Sequence, residues 1–205
     1  KNHDDFHYYH FPYTYILTEY SQPIGIGLLN IGFNTHSSIF YLASLFHLPG
    51  SNYNLFHLPA AIFMFFTNIF FLSTIYKNSF VKKNLYILFF VTSCFIFINI
   101  FFYRLAEHGT DRSAMILILI FFVQILIILN RKFEKDDINQ FKFLIILSSI
   151  IISLKAIYIL YLVLFLPIFL KKFKKKNFFK IFKSYSFYLS SILFLFVIST
   201  NFFNS

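Results

Sequence analysis

The chain has 205 residues, 58% of them hydrophobic and 13% charged, with 34 Phe, 14 Tyr, no Trp and a formal net charge of +10. A mean hydropathy of +0.69, spread over long runs of Phe, Ile and Leu, excludes a soluble globular domain, which could not hide that much apolar surface. The positive charge would suggest nucleic acid in a soluble chain, but here the lysines stand in short clusters between apolar runs, so we expect cytoplasmic loops and no nucleic-acid partner.

The apolar runs are continuous rather than alternating, which selects helices over a closed barrel. The predicted fold class is therefore all-α: a polytopic transmembrane helix bundle of about six spans. Residues 1–54 are read as a long external loop with interfacial helices, and residues 55–205 as a single membrane domain. The chain opens in a polar loop without an initiator Met, and we expect a fragment with at least one span upstream. Its one cysteine, Cys94, lies in an apolar run, so no disulfide within the chain is available.

In chain order, residues 3–12 come first. They gather Asp4, Asp5, His3, His7, His10, Tyr8 and Tyr9 into an otherwise apolar sequence. A carboxylate held near a membrane surface can act as a general base on a hydroxyl acceptor. Two adjacent carboxylates also suit a hard divalent cation beside a phosphate; the competing reading is a solvated acid pair. His3, His7 and His10 are spaced to share a helical face, as a zinc site would require. No His-Glu-x-x-His pattern accompanies them, so hydrogen bonding at the interface is the favoured role and no metal ligand is assigned. Tyr8, Tyr9, Tyr13, Tyr15 and Tyr20 fit an interfacial aromatic belt.

Residues 24–29, with Gly25 and Gly27, are too short to cross a membrane. Residues 37–47 mix Ile39, Phe40, Leu42, Ala43, Leu45 and Phe46 with Ser37, Ser38, Ser44 and His47, which suits a helix lying in the interface. Pro49-Gly50-Ser51-Asn52 reads as a turn.

Residues 55–76 form the first span, ending at Lys77, Lys82 and Lys83. Residues 85–103 return outward to the 104–113 turn, where Gly109 is expected to stop one helix and Thr110 or Asp111 to cap the next. Residues 114–129 lead back to Arg131, Lys132 and Lys135. The run 143–170 is too long for one ordinary span, carries Lys155 in its middle and is basic on both flanks. A single span would put one basic flank outside. Two short helices turning near Lys155 put both inside, so we expect a hairpin with Lys155 at its non-cytoplasmic tip. Residues 187–202 form the last span. The basic, Phe-rich run 171–183 between them suits an anionic leaflet better than RNA.

On this topology all seven histidines, and Asp4, Asp5, Glu19, Glu107 and Asp111, fall on or near the non-cytoplasmic side. A charge between apolar helices is costly and is usually retained for function, although Lys155 could also snorkel to the headgroups. By topology and charge alone, Lys155, Arg104 and Arg112 are assigned to a lipid-linked phosphate, and Glu107, His108 and Asp111 to sugar or acceptor. Salt bridges between helix ends compete with that assignment.

Asp5-Phe6-His7-Tyr8-Tyr9-His10-Phe11-Pro12 resembles the Asp-x-x-x-Tyr-His-x-Pro opening of the first large external loop in many bacterial multi-pass proteins of the GT-C glycosyltransferase superfamily. That superfamily includes the protein O-mannosyltransferases and the aminoarabinose transferases of lipid A. The resemblance implies a catalytic base at Asp5 with Asp4 beside it, Tyr9 and His10 near the substrate, and an active site at the non-cytoplasmic face. It further implies sugar transfer from a polyprenyl-phosphate donor with inversion, in a bacterial inner membrane with the site on the periplasmic side. The expected partners are the polyprenyl-phosphate sugar and membrane lipid. No cofactor is assigned, and a divalent cation is left open. The rival functions are a non-enzymatic transporter or flippase of lipid-linked glycans and a structural membrane subunit.

Overall fold

The computed structural model describes residues 6–20, 24–34, 37–51, 53–79, 84–102, 110–130, 137–172 and 181–204. These residues form an all-α fold with no strand among them. The helices are α1 (Phe11–Glu19), α2 (Ser38–Ser44), α3 (Leu58–Ser79), α4 (Leu85–Phe101), α5 (Thr110–Asn130), α6 (Asp137–Leu154), α7 (Phe165–Lys172) and α8 (Tyr185–Asn204). Two stretches, Leu58–Lys77 and Asp111–Asn130, are long and apolar enough to cross a membrane by length and composition.

Local chemistry explains the helix starts. Pro12 sits in the first turn of α1, where its missing N–H breaks no intrahelical bond. Ser37 caps α2 by accepting from the Ile39 N–H at 3.5 Å. Inside the apolar helices the hydroxyls turn back on their own backbone. Thr67 donates to the Phe63 carbonyl at 2.7 Å, Thr74 to Phe70 at 2.7 Å and Ser153 to Ile150 at 2.7 Å. These hydroxyls are thereby satisfied within their own helices.

α5 is the hub. It packs against α3, α4, α6 and α7, and 61% of its apolar stretch is buried against 28% for α3. α8 packs along α6, and α3 along α4. Neutral amides join neighbouring helices: Asn99 donates to Asn68 at 2.8 Å, and Asn130 to Asn84 at 2.8 Å.

The chain reverses at Lys155. α6 ends at Leu154, Lys155 is extended (φ −156°, ψ 116°), and a nine-residue 3-10 helix, Ala156–Leu164, runs back into α7. Phe141 therefore meets both Phe165 and Phe169, each at 5.1 Å between ring centroids. The lengths agree, since Phe141 lies about 21 Å before the turn along an α-helix and Phe165 about 20 Å after it along a 3-10 helix. The second arm differs from the short α-helix expected there. A 3-10 helix eclipses side chains at every third position, and Tyr158, Tyr161 and Leu164 make such a row facing the protein, while Ile157, Leu160 and Val163 are exposed. Tyr161 packs edge-on to Phe122 of α5 at 5.6 Å.

The N-terminal segment docks on the end of the bundle that carries the hairpin tip. A π-helical turn, Phe6–His10, leads into α1, and α1 packs on α2 through Tyr13 and Phe40 at 5.0 Å. The Ser38 and Ser153 hydroxyls meet at 2.9 Å, tying α2 to the last turn of α6. Tyr13 departs from the expected aromatic belt: it is 1% exposed, with its hydroxyl 3.4 Å from that of Tyr41. Tyr8, Tyr15 and Tyr20 are exposed. Within α1, Tyr13 and Tyr15 are separated by the helix rotation, since α2 packs on the face carrying Tyr13.

Candidate functional site

Two charged side chains far apart in sequence meet where α5 begins and the hairpin turns. Asp111 lies in the first turn of α5, inside the helix rather than at its cap, where the helix dipole favours negative charge. Lys155 sits in the single extended residue between α6 and the 3-10 arm. Its own N–H still bonds the Ile151 carbonyl at 3.1 Å, and its carbonyl accepts from the Tyr158 N–H at 3.1 Å. The turn thus costs no backbone hydrogen bond at Lys155, and the ammonium forms an ion pair with Asp111 Oδ1. The side chains are 39% and 50% exposed, so the pair contributes little stability, about 0–1 kcal/mol. It is a charged group held in place at a surface.

Below this pair lies an apolar cavity of about 280 Å³ between α4, α5 and the 3-10 arm, walled by Phe97, Phe102, Met115, Phe122, Tyr158 and Tyr161. Met115 is one helical turn after Asp111, and Tyr158 is one 3-10 turn after Lys155, so two of the cavity's walls stand one turn from the charges. Tyr158 and Tyr161 stack at 5.7 Å with an interplanar angle of 30°. An ion pair beside a greasy pocket suits an amphiphile with a polar head and an apolar tail.

A larger cavity, about 430 Å³, lies between α6, α7 and α8. Ser148, Ser149, Ser190 and Ser191 line it among apolar side chains. Ser148 and Ser191 donate to their own helices, to Ile145 at 2.8 Å and Phe187 at 2.9 Å. Among the described residues no charged side chain lines this cavity.

The sequence-predicted residues distribute as follows. Asp111 and Lys155 are brought together. Arg112 follows Asp111 on α5 and is half-buried. His10 is 4% exposed, packed edge-on to Tyr9 at 4.3 Å and against Phe40 at 5.5 Å. Tyr9 itself presses on the backbone at Gly32, where an added Cβ would meet its ring at 2.7 Å. Both belong to the packing between the N-terminal turn and its neighbours. His7 is exposed while His10 is buried. No cluster of His, Cys, Asp or Glu fit for a metal ion exists among the described residues. His3, Asp4, Asp5, Arg104, Glu107 and His108 lie outside the described residues. Tyr158 and Tyr161 went unrecognised as site residues; their three-residue spacing after Lys155 was the available signal.

No curated protein and no solved structure matches the chain. The profile of one family, described as a domain of unknown function (DUF8201), matches residues 2–203. That match spans nearly the whole sequence, and the chain belongs to this family.

Proposed function

We propose that the chain is a polytopic membrane protein that binds a polyprenyl-phosphate sugar at the hairpin-tip end of its bundle and transfers the sugar to an acceptor hydroxyl, as a GT-C-like glycosyltransferase. The membrane assignment draws on burial as well as hydropathy. α3 is apolar and mostly unburied, with Phe65 and Phe66 exposed at 60% and 62%, whereas the core helix of a soluble protein is covered. The shorter apolar helices Leu85–Phe101, Ile138–Leu154, Ala156–Leu170 and Tyr185–Asn201 would complete about six crossing or re-entrant segments, since short helices suffice where they tilt or end in protein. Lysine clusters in the sequence between the apolar helices favour a cytoplasmic side for those connections, and the motif resemblance favours a bacterial inner membrane with the site on the periplasmic side.

The observation that carries the functional reading is the Lys155–Asp111 pair, each partner one turn from a residue that walls the apolar cavity. An isoprenoid tail suits the cavity, and an anionic head would take Lys155 in competition with Asp111. Lys155, with Arg112 and Arg104, would hold the phosphate; Tyr158, Tyr161 and the phenylalanines would take the first tail units. Asp5, on the motif resemblance, would remove the acceptor proton as the acceptor oxygen bonds the anomeric carbon. The bond from that carbon to the phosphate oxygen breaks, and polyprenyl phosphate leaves. In membranes containing the protein and its lipid-linked donor, Asp5→Asn should abolish glycan transfer while donor binding persists. Full transfer by that variant would end the catalytic assignment.

A flippase of lipid-linked glycans is the second reading, favoured by the nine-residue 3-10 arm beside the cavity. Runs of that length are uncommon and often mark hinges. Lipid translocation that survives Asp5→Asn, with no glycan transfer by the unmodified protein, would favour it.

A further inference from the structure

The external segment between α1 and α2 folds into a small tip that is apolar on both sides. Gly25 takes a left-handed conformation (φ 72°) that turns the chain into the 3-10 helix Ile26–Leu28. A second 3-10 turn, Ile31–Asn34, follows and packs on α8. Asn30 secures the base, donating to the Tyr8 carbonyl at 3.1 Å and accepting from the Gly32 N–H at 2.9 Å. Ile26 and Phe33 point inward, 2% and 5% exposed. Ile24, Leu28, Leu29 and Ile31 point outward, exposed at 81%, 87%, 77% and 77%.

We infer that this tip is a bilayer anchor, its four outward aliphatic side chains seated in the outer leaflet beside α8. Three observations select lipid as the occupant. No Asp, Glu, Lys or Arg occurs between Glu19 and Lys77, so the whole external segment after α1 lacks the formal charge that a water-facing surface carries. The tip adjoins α8, whose Ile192, Leu195 and Ile198 are themselves exposed, so its apolar surface continues that of the bundle. Exposed Tyr8, Tyr15, Tyr20 and Tyr53 lie in the N-terminal region that includes this tip, the amphipathic rings that settle at headgroup level. An anchor of this kind would hold the described N-terminal segment at a fixed height over the membrane.

The inference rests on the membrane reading above, and one experiment separates the two. The chain contains no Trp, so Leu28→Trp and, separately, Phe66→Trp in the middle of α3 each supply a single fluorophore. Each variant is reconstituted into phospholipid vesicles brominated either near the glycerol end or near the methyl end of the acyl chains. Leu28→Trp should emit at blue-shifted wavelength and lose most of its intensity to the shallow bromines. Phe66→Trp should be quenched more by the deep ones. Quenching at Phe66→Trp with water-like, unquenched emission at Leu28→Trp would overturn the anchor and leave the membrane assignment standing. Failure of both to quench would overturn the two together. Blue-shifted but unquenched emission at Leu28→Trp would mean that protein, a second copy or another part of a longer chain, covers the tip in place of lipid.

Discussion

At the lysine-flanked end of the bundle, α5 is tied to α4 by a neutral amide pair, Asn130 to Asn84. At the opposite end α5 meets the hairpin through an ion pair, Asp111 to Lys155, near a cavity and at the end of α6 where α2 docks. The same helix thus ends in two kinds of chemistry. Amides can tie helices in an apolar medium without fixed charge. A lysine at an apolar turn is costly to keep, and with both partners half-exposed it returns little stability. The neutral end suffices for assembly. The charged end is better explained by what it can bind.

This contrast can be broken or sharpened by substitution. The largest effect should come from Phe141→Ala. Phe141 is 1% exposed and holds the open end of the hairpin against Phe165 and Phe169. Unfolding in detergent should show a loss of about 3 kcal/mol, with polyprenyl-phosphate affinity in the folded fraction unchanged. Leu119→Trp, which fills the cavity beneath the ion pair, should weaken polyprenyl-phosphate binding about tenfold, or about 1.4 kcal/mol. A water-soluble phosphate monoester should bind as before. Asp111→Asn removes the negative charge competing for Lys155. It should raise affinity for the lipid phosphate about fivefold, close to 1 kcal/mol, and a fall in affinity would show that Asp111 positions Lys155 instead. Asn130→Ala should cost only about 0.6 kcal/mol of stability and leave ligand affinity untouched.

The sequence disclosed the hairpin because charge, and no turn residue, marked it: basic clusters on both flanks required the chain to reverse near Lys155. The helix ends were legible to within a few residues where charge bounded them, as at Leu85–Phe101. α1 was hidden because its tyrosines resembled a belt, and only the position of α2 decides that Tyr13 is core. The 3-10 arm was hidden because Ala156–Leu164 is apolar on every face, so hydrophobic periodicity is uninformative there. The Asp111–Lys155 pair has no local signature, since its partners come from different helices. Topology had nevertheless placed both residues on one side, and the same argument placed Asp4 and Asp5 there.

The central claim is that Lys155 receives the phosphate of a lipid-linked donor, and a binding titration tests it most directly. Polyprenyl phosphate is titrated into the purified protein, Lys155→Ala and Lys155→Arg, with an uncharged polyprenol as reference. Saturable binding of the phosphate is expected to weaken at least tenfold in Lys155→Ala, as loss of a charge-assisted contact of about 1.5–3 kcal/mol requires. It should be largely kept in Lys155→Arg, and the polyprenol should bind weakly to all three. Equal affinity of the unmodified protein and Lys155→Ala for polyprenyl phosphate would contradict the account.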